Sequence, residues 1–440
     1  MTPATLVDLL KPFLRSRRWW IAYSGGVDSH VLLHLLAQLR KQKKIPALTA
    51  LHINHQLNPR AYEWVEHCRR VCAELDIEFI AEAVDVVNDG DGIEAAARAA
   101  RYAAFEKHIG PDELLLQAHH RDDQIETLLL RLLRGSGVAG LAAIPTQRAL
   151  GRGQLLRPLL PWSRADVLAY AREHALQWID DDSNRDDRFD RNFLRLNVLP
   201  VIEQRWPAYR VTLSRVVTQA DEAAQLLDEL ARIDLQDSIN DECALSLAAC
   251  KTLSAERQGN VLRYWLQQKN LPQPSREQLQ QVLAMARARI DAQPCVMWPG
   301  VEVHRFRDHL YAMTPLPSLP TAPIDIAWDM QSPLRIEGLG ELTATAVIGS
   351  GLRADRKYHV RNRVGGERCK PAGRAHSQTL KKLLQEYAVP PWLRDRLPLI
   401  YCGDKLAAVA DLWVCEGFFA DAKQEGWRLQ WLLRDDSQHH

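Results

Sequence analysis

Three clusters of polar residues in the first half of the chain have types and spacing suited to chemistry. The first is Ser24-Gly25-Gly26-Val27-Asp28-Ser29. Adjacent glycines tolerate positive φ and remove the Cβ atoms that would hold an anion away, so consecutive N–H groups can point at one phosphate. Ser24 and Ser29 add hydroxyl donors, while Asp28 beside an anion calls for a bridging cation such as Mg²⁺. No lysine follows the glycines, so this is not the G-x-x-x-x-G-K-[ST] cradle. A plain glycine turn is the bland alternative, and it leaves the serines and Asp28 unexplained.

The second cluster is His119-His120-Arg121-Asp122-Asp123-Gln124-Ile125-Glu126-Thr127. Asp123 and Glu126 are three apart, which puts both carboxylates on one side of a helix, and His119 can reach that side. Two carboxylates there suit Mg²⁺ on phosphates, or a base for an incoming amine. Acids placed for the helix dipole account for Asp122 but not for the paired histidines. The third cluster is cationic. Arg98 and Arg101 share a face of one helix, and Arg191 and Arg195 lie one turn apart after the acidic run Asp180-Asp181-Asp182-Ser183-Asn184. Such arginines can neutralise charge developing on a phosphate, or form solvated ridges and salt-bridged helix starts.

These clusters need elements to hold them. Arg18 to Tyr23 is too short for three helical turns and reads as a buried strand, with a helix opening directly after the glycine loop. A short amphipathic helix over Thr5 to Arg15 precedes it. Further strands are expected over 47–53, 78–84 and 113–118, with helices over 64–75 and 93–108, and one running to Leu133 before Gly135-Ser136-Gly137. Alternating strands and helices predict an α/β fold with a parallel sheet and helices on both faces, and ligands at the carboxyl edge. Ser163 is placed to cap another helix.

At 440 residues the chain predicts two or three domains. Its net charge of +1 hides asymmetry: residues 351–400 carry twelve Lys and Arg against four acids, a net of +8. That excess suits a polyanion partner. The eight cysteines include no CxxC pair, and no apolar stretch is long enough for a membrane span, so a cytoplasmic location without membrane attachment is expected. Helical periodicity dominates 221–290, where Arg257, Arg263, Arg287 and Arg289 could touch a phosphate backbone or form solvated faces. A hairpin is expected over 294–314, then a Pro-rich linker over 314–323, and a helix over 379–387 stopped by Pro390-Pro391.

SGGVDS at the end of a first strand resembles the PP-loop of the N-type ATP pyrophosphatases. Taken with IEAAARAARY, AHHRDDQIET, LLRGSGVAGL, RPLL and DDDSNRDDRFDRNFLRLNVLP, the first 215 residues or so resemble the tRNA(Ile)-lysidine synthetase family. The resemblance implies a PP-loop catalytic domain over 1–215, a mainly helical linking domain over 216–315, a linker over 316–340 and a basic α+β domain over 341–440. It implies ATP and Mg²⁺ as cofactors, L-lysine and an isoleucine tRNA with a CAU anticodon as partners, and no obligate protein partner. By the same implication, Ser24, Gly25, Gly26, Val27, Asp28 and Ser29 hold ATP, with Asp28 on Mg²⁺. His119, Asp123 and Glu126 handle the cation and the amine, and Arg98, Arg101, Arg191 and Arg195 steady the phosphoryl group or cytidine. Arg368, Lys370, Arg374, Lys381, Lys382 and Arg394 touch tRNA. One departure is Asn54-His55-Gln56-Leu57, where the family often has His-Gly-Leu; it weakens His55 as a nucleotide contact. A tRNA thiolation enzyme using Cys68 or Cys72, and a relict tRNA-binding protein, are the rival readings.

Overall fold

The computed structural model describes residues 1–56, 58–87, 92–181, 186–236, 244–286, 288 and 293–433. The chain divides into two compact units, Met1–Leu226 and Leu227–His440. The boundary falls within one helix, Tyr209–Leu235, rather than at the domain break expected after residue 215.

The first unit is built on a six-stranded sheet. Its strands are β1 (Arg18–Ala22), β2 (Leu48–Asn54), β3 (Glu78–Ala83), β4 (Glu113–Leu116), β5 (Gln147–Leu150) and β6 (Gly153–Leu156). The order across the sheet is β3-β2-β1-β4-β6-β5, parallel except for β5. In β1, Trp19, Trp20 and Ile21 are all buried, because a central parallel strand is covered on both faces. The helix Val27–Lys41 buries Val31, Leu32, Leu35, Leu36 and Leu39 in the largest core cluster. Strand order reverses between β1 and β4, so the segments leaving these two strands diverge to opposite faces and open a crevice at the carboxyl edge.

The β5–β6 hairpin was not expected from sequence. Three of the four residues of β5 are exposed and carry no apolar alternation, so the strand is held by pairing with β6 rather than by its own pattern.

In the second unit, helices Ala255–Gln268 and Arg276–Met285 pack on a four-stranded antiparallel sheet around Trp265 and Val282. The expected hairpin is a three-strand meander, Cys295–Trp298, Val301–Phe306 and His309–Met313, joined by Leu245–Ser246. The linker expected over 316–340 is shorter than that. Asp325–Trp328 pairs with Tyr358–Arg361, and Leu334–Ile336 pairs with the strand Gly340–Ile348, so both belong to the C-terminal sheets. Helix Leu380–Glu386 buries Leu380, Leu383 and Leu384 as its spacing predicts. No helix among the described residues is long and apolar enough to cross a membrane.

Candidate active site

The glycine loop leaves β1 and enters its helix with Gly26 as N-cap and no side-chain cap bond, so the first-turn N–H groups face outward at the positive end of the helix dipole. Ser29 ties the turn together, with its hydroxyl 3.0 Å from the Gly26 carbonyl and 3.1 Å from the Ser24 hydroxyl. The two glycines do different work. Gly25 has φ +86°, and a Cβ there would lie 2.6 Å from Ile179 Cδ1 and 2.9 Å from Cys68 Sγ. Its side is closed by protein, and the Ile179 N–H donates to its carbonyl at 3.0 Å. A Cβ on Gly26 would meet only the Ser24 hydroxyl, at 3.5 Å. The anion clearance expected of both glycines therefore belongs to Gly26, while Gly25 serves backbone shape and packing.

Across the crevice, β4 runs into helix Arg121–Leu133, capped by His120 rather than by a hydroxyl or carboxylate residue. The Asp123 N–H donates to His120 Nδ1 at 3.3 Å, and the His120 N–H donates to Asp123 Oδ2 at 2.9 Å. Because Nδ1 accepts, the proton of the neutral ring sits on Nε2, which lies 3.6 Å from Asp28 Oδ1. His120 is fully buried, and Asp28 Oδ1 is buried with no hydrogen-bond partner among the described residues. Burial pushes the Asp28 carboxyl upward, a neighbouring His120 pulls it down, and Asp123 pushes it up again. An orphaned carboxylate oxygen beside an uncapped helix start fits a divalent cation carried in on phosphate oxygens. Among the described residues no three His, Cys, Asp or Glu side chains gather to hold a metal alone.

Asp123 and Glu126 do share one side, but neither stands alone. Glu126 accepts from Arg191 Nε at 2.7 Å, Arg195 Nε at 2.7 Å and Arg195 Nη2 at 2.9 Å. Asp123 Oδ1 accepts from Arg191 Nη2 at 3.0 Å. Asp123 lies well below the usual carboxylate range: burial raises it, and the more numerous neighbours, His120 and Arg191 first, lower it. Arg195 sits in a π-helical turn, Leu194–Val198, that follows directly on the helical turn Asp190–Phe193 carrying Arg191. Asp122 faces away, accepting from the Arg164 N–H at 2.8 Å and from Arg210 Nε at 2.7 Å, so it fixes neighbouring helices rather than serving the crevice.

His119 Nδ1 is buried without a hydrogen-bond partner among the described residues, and burial pushes the ring down to about 3, against the opposing pull of Asp123. Arg101 and Arg157 add to that depression, which places both charges near the ring. Arg98 instead lies over the Tyr102 ring, 5.1 Å from its centre. At the family departure, Gln56 adopts φ +56°, the left-handed conformation a glycine would take. His55 is depressed by burial and then by Arg101. Sequence alone assigned no role to His120, Tyr102 or Arg157. The adjacent histidines and the arginine of RPLL were the available signals.

In the second unit the cations of the basic segment are unequal. Lys370 pairs with Glu416 at 2.7 Å, Arg374 with Glu386, and Arg394 Nε donates to the Val389 carbonyl. Among the described residues Lys381 has no ion pair, Lys382 is 4.0 Å from Glu386, and Arg368 Nη2 donates to the Ser377 carbonyl. Asp182, Ser183, Asn184, Arg287, Arg289 and Leu57 lie outside the described residues.

Comparison with known proteins bears on the chain as a whole. Residues 3–202 match the family described as PP-loop domain, 245–311 the TilS substrate binding domain and 358–431 the TilS substrate C-terminal domain. The tRNA(Ile)-lysidine synthase of Coxiella burnetii is 43% identical over 435 residues, covering 98% of this chain and 96% of that one. Those of Serratia proteamaculans and Pseudomonas fluorescens are 44% and 43% identical, covering 94% and 99% of this chain and 95% and 98% of their own. With likeness running nearly end to end and a glycine loop set at the switch point of its sheet, the chain belongs to the tRNA(Ile)-lysidine synthase family.

Proposed function

We propose that the enzyme joins free L-lysine to C2 of the wobble cytidine of the isoleucine tRNA with a CAU anticodon. ATP adenylates O2 of that base, releasing pyrophosphate. The ε-amine then attacks C2, sheds its protons and displaces AMP, leaving lysidine and changing the tRNA from methionine to isoleucine identity. Ser24, Gly25, Gly26, Val27, Asp28 and Ser29 cradle the nucleotide. Asp28 would hold Mg²⁺, which would supply charge neutralisation for the departing pyrophosphate. His119, Asp123 and Glu126 receive the cation and the amine. Arg98, Arg101, Arg191 and Arg195 steady the phosphoryl group or the cytidine, with Arg191 and Arg195 pre-set by Glu126. Arg368, Lys370, Arg374, Lys381, Lys382 and Arg394 hold the tRNA body through phosphate contacts that set affinity and register.

The observation that carries this reading is the approach of Asp28 to His120, which brings the glycine loop and the AHHRDDQIET helix to one point. The thiolation reading has weaker support. Cys68 and Cys72 are fully buried, and burial pushes both thiols up to about 12, so neither offers a thiolate at neutral pH. Incubation with ATP, radiolabelled lysine and total tRNA tests the proposal. Label is expected at the anticodon cytidine, with AMP and pyrophosphate released; tRNA that stays unlabelled while the enzyme remains folded would refute it.

A further inference from the structure

A second cationic cluster lies on the β4–β6–β5 side of the sheet, running from Arg157, near the His119 ring, out to Arg148 on the edge strand. Tyr102 is its centre. Arg98 and Arg148 both lie over the phenol ring, with guanidinium carbons 5.1 Å and 4.6 Å from the ring centre. The Tyr102 hydroxyl donates to Gln117 Oε1 at 3.3 Å and accepts from Arg157 Nη2 at 3.4 Å. Arg157 is 3% exposed; its Nη1 reaches the Pro145 carbonyl at 2.7 Å, and its Nε has no partner among the described residues. Arg131 is held nearby by the Gly140 and Ala143 carbonyls, close enough to Arg98 that the two charges oppose each other.

Among the described residues none of Arg98, Arg131, Arg148 and Arg157 is paired with a carboxylate. Elsewhere in the chain arginines commonly are, as Arg191, Arg195, Arg210 and Arg257 show. Gathering cations without acids is unfavourable unless an anion joins them. Free lysine suits the site poorly, because its two ammonium groups would meet only positive charge. Its outer member, Arg148 on β5, is set apart from the nucleotide phosphates. Strand order sets β6 and β5 two and three strands from β1, roughly 10 to 14 Å from the strand that carries the glycine loop. Arg98 and Arg148 are exposed, and the Tyr102 ring is already covered by guanidinium groups, so the site offers charge rather than a free stacking face. That combination suits a nucleic-acid backbone.

We propose that Arg98, Tyr102 and Arg148, backed by the buried Arg157, form a phosphate-binding subsite for the RNA strand beside the base being modified. It rests on the RNA-modifying reading above, takes for Arg98 the RNA side of the role given there, and adds a contact made by the catalytic unit itself, distinct from the cations of the C-terminal segment. Tyr102 and Arg157 hold the two outer arginines in place. Arg148 supplies a phosphate contact from the sheet's edge strand.

The test uses the full chain and an isoleucine tRNA transcript, with binding measured from about 50 to 200 mM salt. Arg148→Gln should weaken binding about five- to tenfold and make the log–log salt dependence shallower by about one. Arg148→Lys should keep most of the affinity, since a phosphate contact needs charge more than fork geometry, and KM for ATP and lysine should not move. Wild-type affinity and slope in Arg148→Gln, with an unchanged thermal melt, would overturn the subsite. So would a rise in the KM for lysine with tRNA affinity unchanged, which would make this a carboxylate site. If the wild-type enzyme bound tRNA but incorporated no lysine, the functional reading would fail while the binding data still judged the subsite.

Discussion

His120 Nε2 lies 3.6 Å from Asp28 Oδ1, joining the segments that leave β4 and β1 on either side of the point where strand order reverses. One nitrogen of that ring caps a helix and the other faces the carboxylate of the glycine loop. The two tasks can be separated by mutation.

His120→Asn keeps an N-cap side chain and removes the reach to Asp28. Its melting temperature should stay close to wild type, whereas kcat for AMP release should fall on the order of 100-fold, because misplacement of about 1 Å in a reacting array costs that much. His120→Ala should lose about a further 1 kcal/mol of stability with the cap. Wild-type AMP release in His120→Asn, with His120→Ala still less stable, would assign His120 to capping alone.

Glu126 is 1% exposed in its side chain and is the common partner of Arg191 and Arg195, whose side chains are 31% and 23% exposed. Removing its charge leaves the two guanidinium groups, which keep some access to water, to share Asp123. Glu126→Gln should therefore lose about 3 kcal/mol, the lower end for a broken buried pair, as read from urea unfolding. Activity should fall further than the unfolded fraction explains, since Arg195 then keeps only its 3.8 Å approach to Asp123.

Stability should decline on mild acidification. Burial holds His119 down to about 3 and His30 down to about 4, both below the ordinary value near 6.5. The folded state keeps these rings neutral where the unfolded chain takes up protons. Their contribution is therefore complete above about pH 6.5 and is lost as the pH falls from there toward 4. The slope should reach about 1.4 kcal/mol per pH unit for each histidine. Asp122 and Asp123, both held low, matter only below about pH 4, because their contribution persists above the unfolded carboxylate range. Urea midpoints at pH 7 and pH 5 measure the effect, and His30→Asn should flatten it.

Gln56 carries φ +56° and donates its N–H to Asn54 Oδ1 at 2.9 Å. A left-handed residue with a side chain costs about 1 to 2 kcal/mol, partly offset by the larger unfolded-state entropy of glycine. Gln56→Gly should thus raise stability by up to about 1 kcal/mol in thermal unfolding, and Gln56→Val should lower it.

Much of the catalytic half was legible because its signals are local. The apolar run of β1, the helical recurrence of Val31, Leu32, Leu35, Leu36 and Leu39, and the paired glycines each follow from a few neighbouring residues. The same holds for the shared side of Asp123 and Glu126, which a spacing of three dictates. Where the pattern thins out, as in the exposed β5 and the strands at 325–328 and 334–336, pairing partners far along the chain supply the order that periodicity cannot.

By itself, then, the sequence determined the elements, the glycine loop and the residue types offered at the sheet's edge. Tertiary structure alone decided which of them meet. Glu126 takes arginines 65 and 69 residues away, His120 rather than His119 faces Asp28, and Gly25 turns its bare side to Ile179 and Cys68 instead of to a phosphate. Dihedral preference and side-chain period are properties of adjacent residues, whereas these encounters depend on strand order and crossovers that only a folded chain possesses.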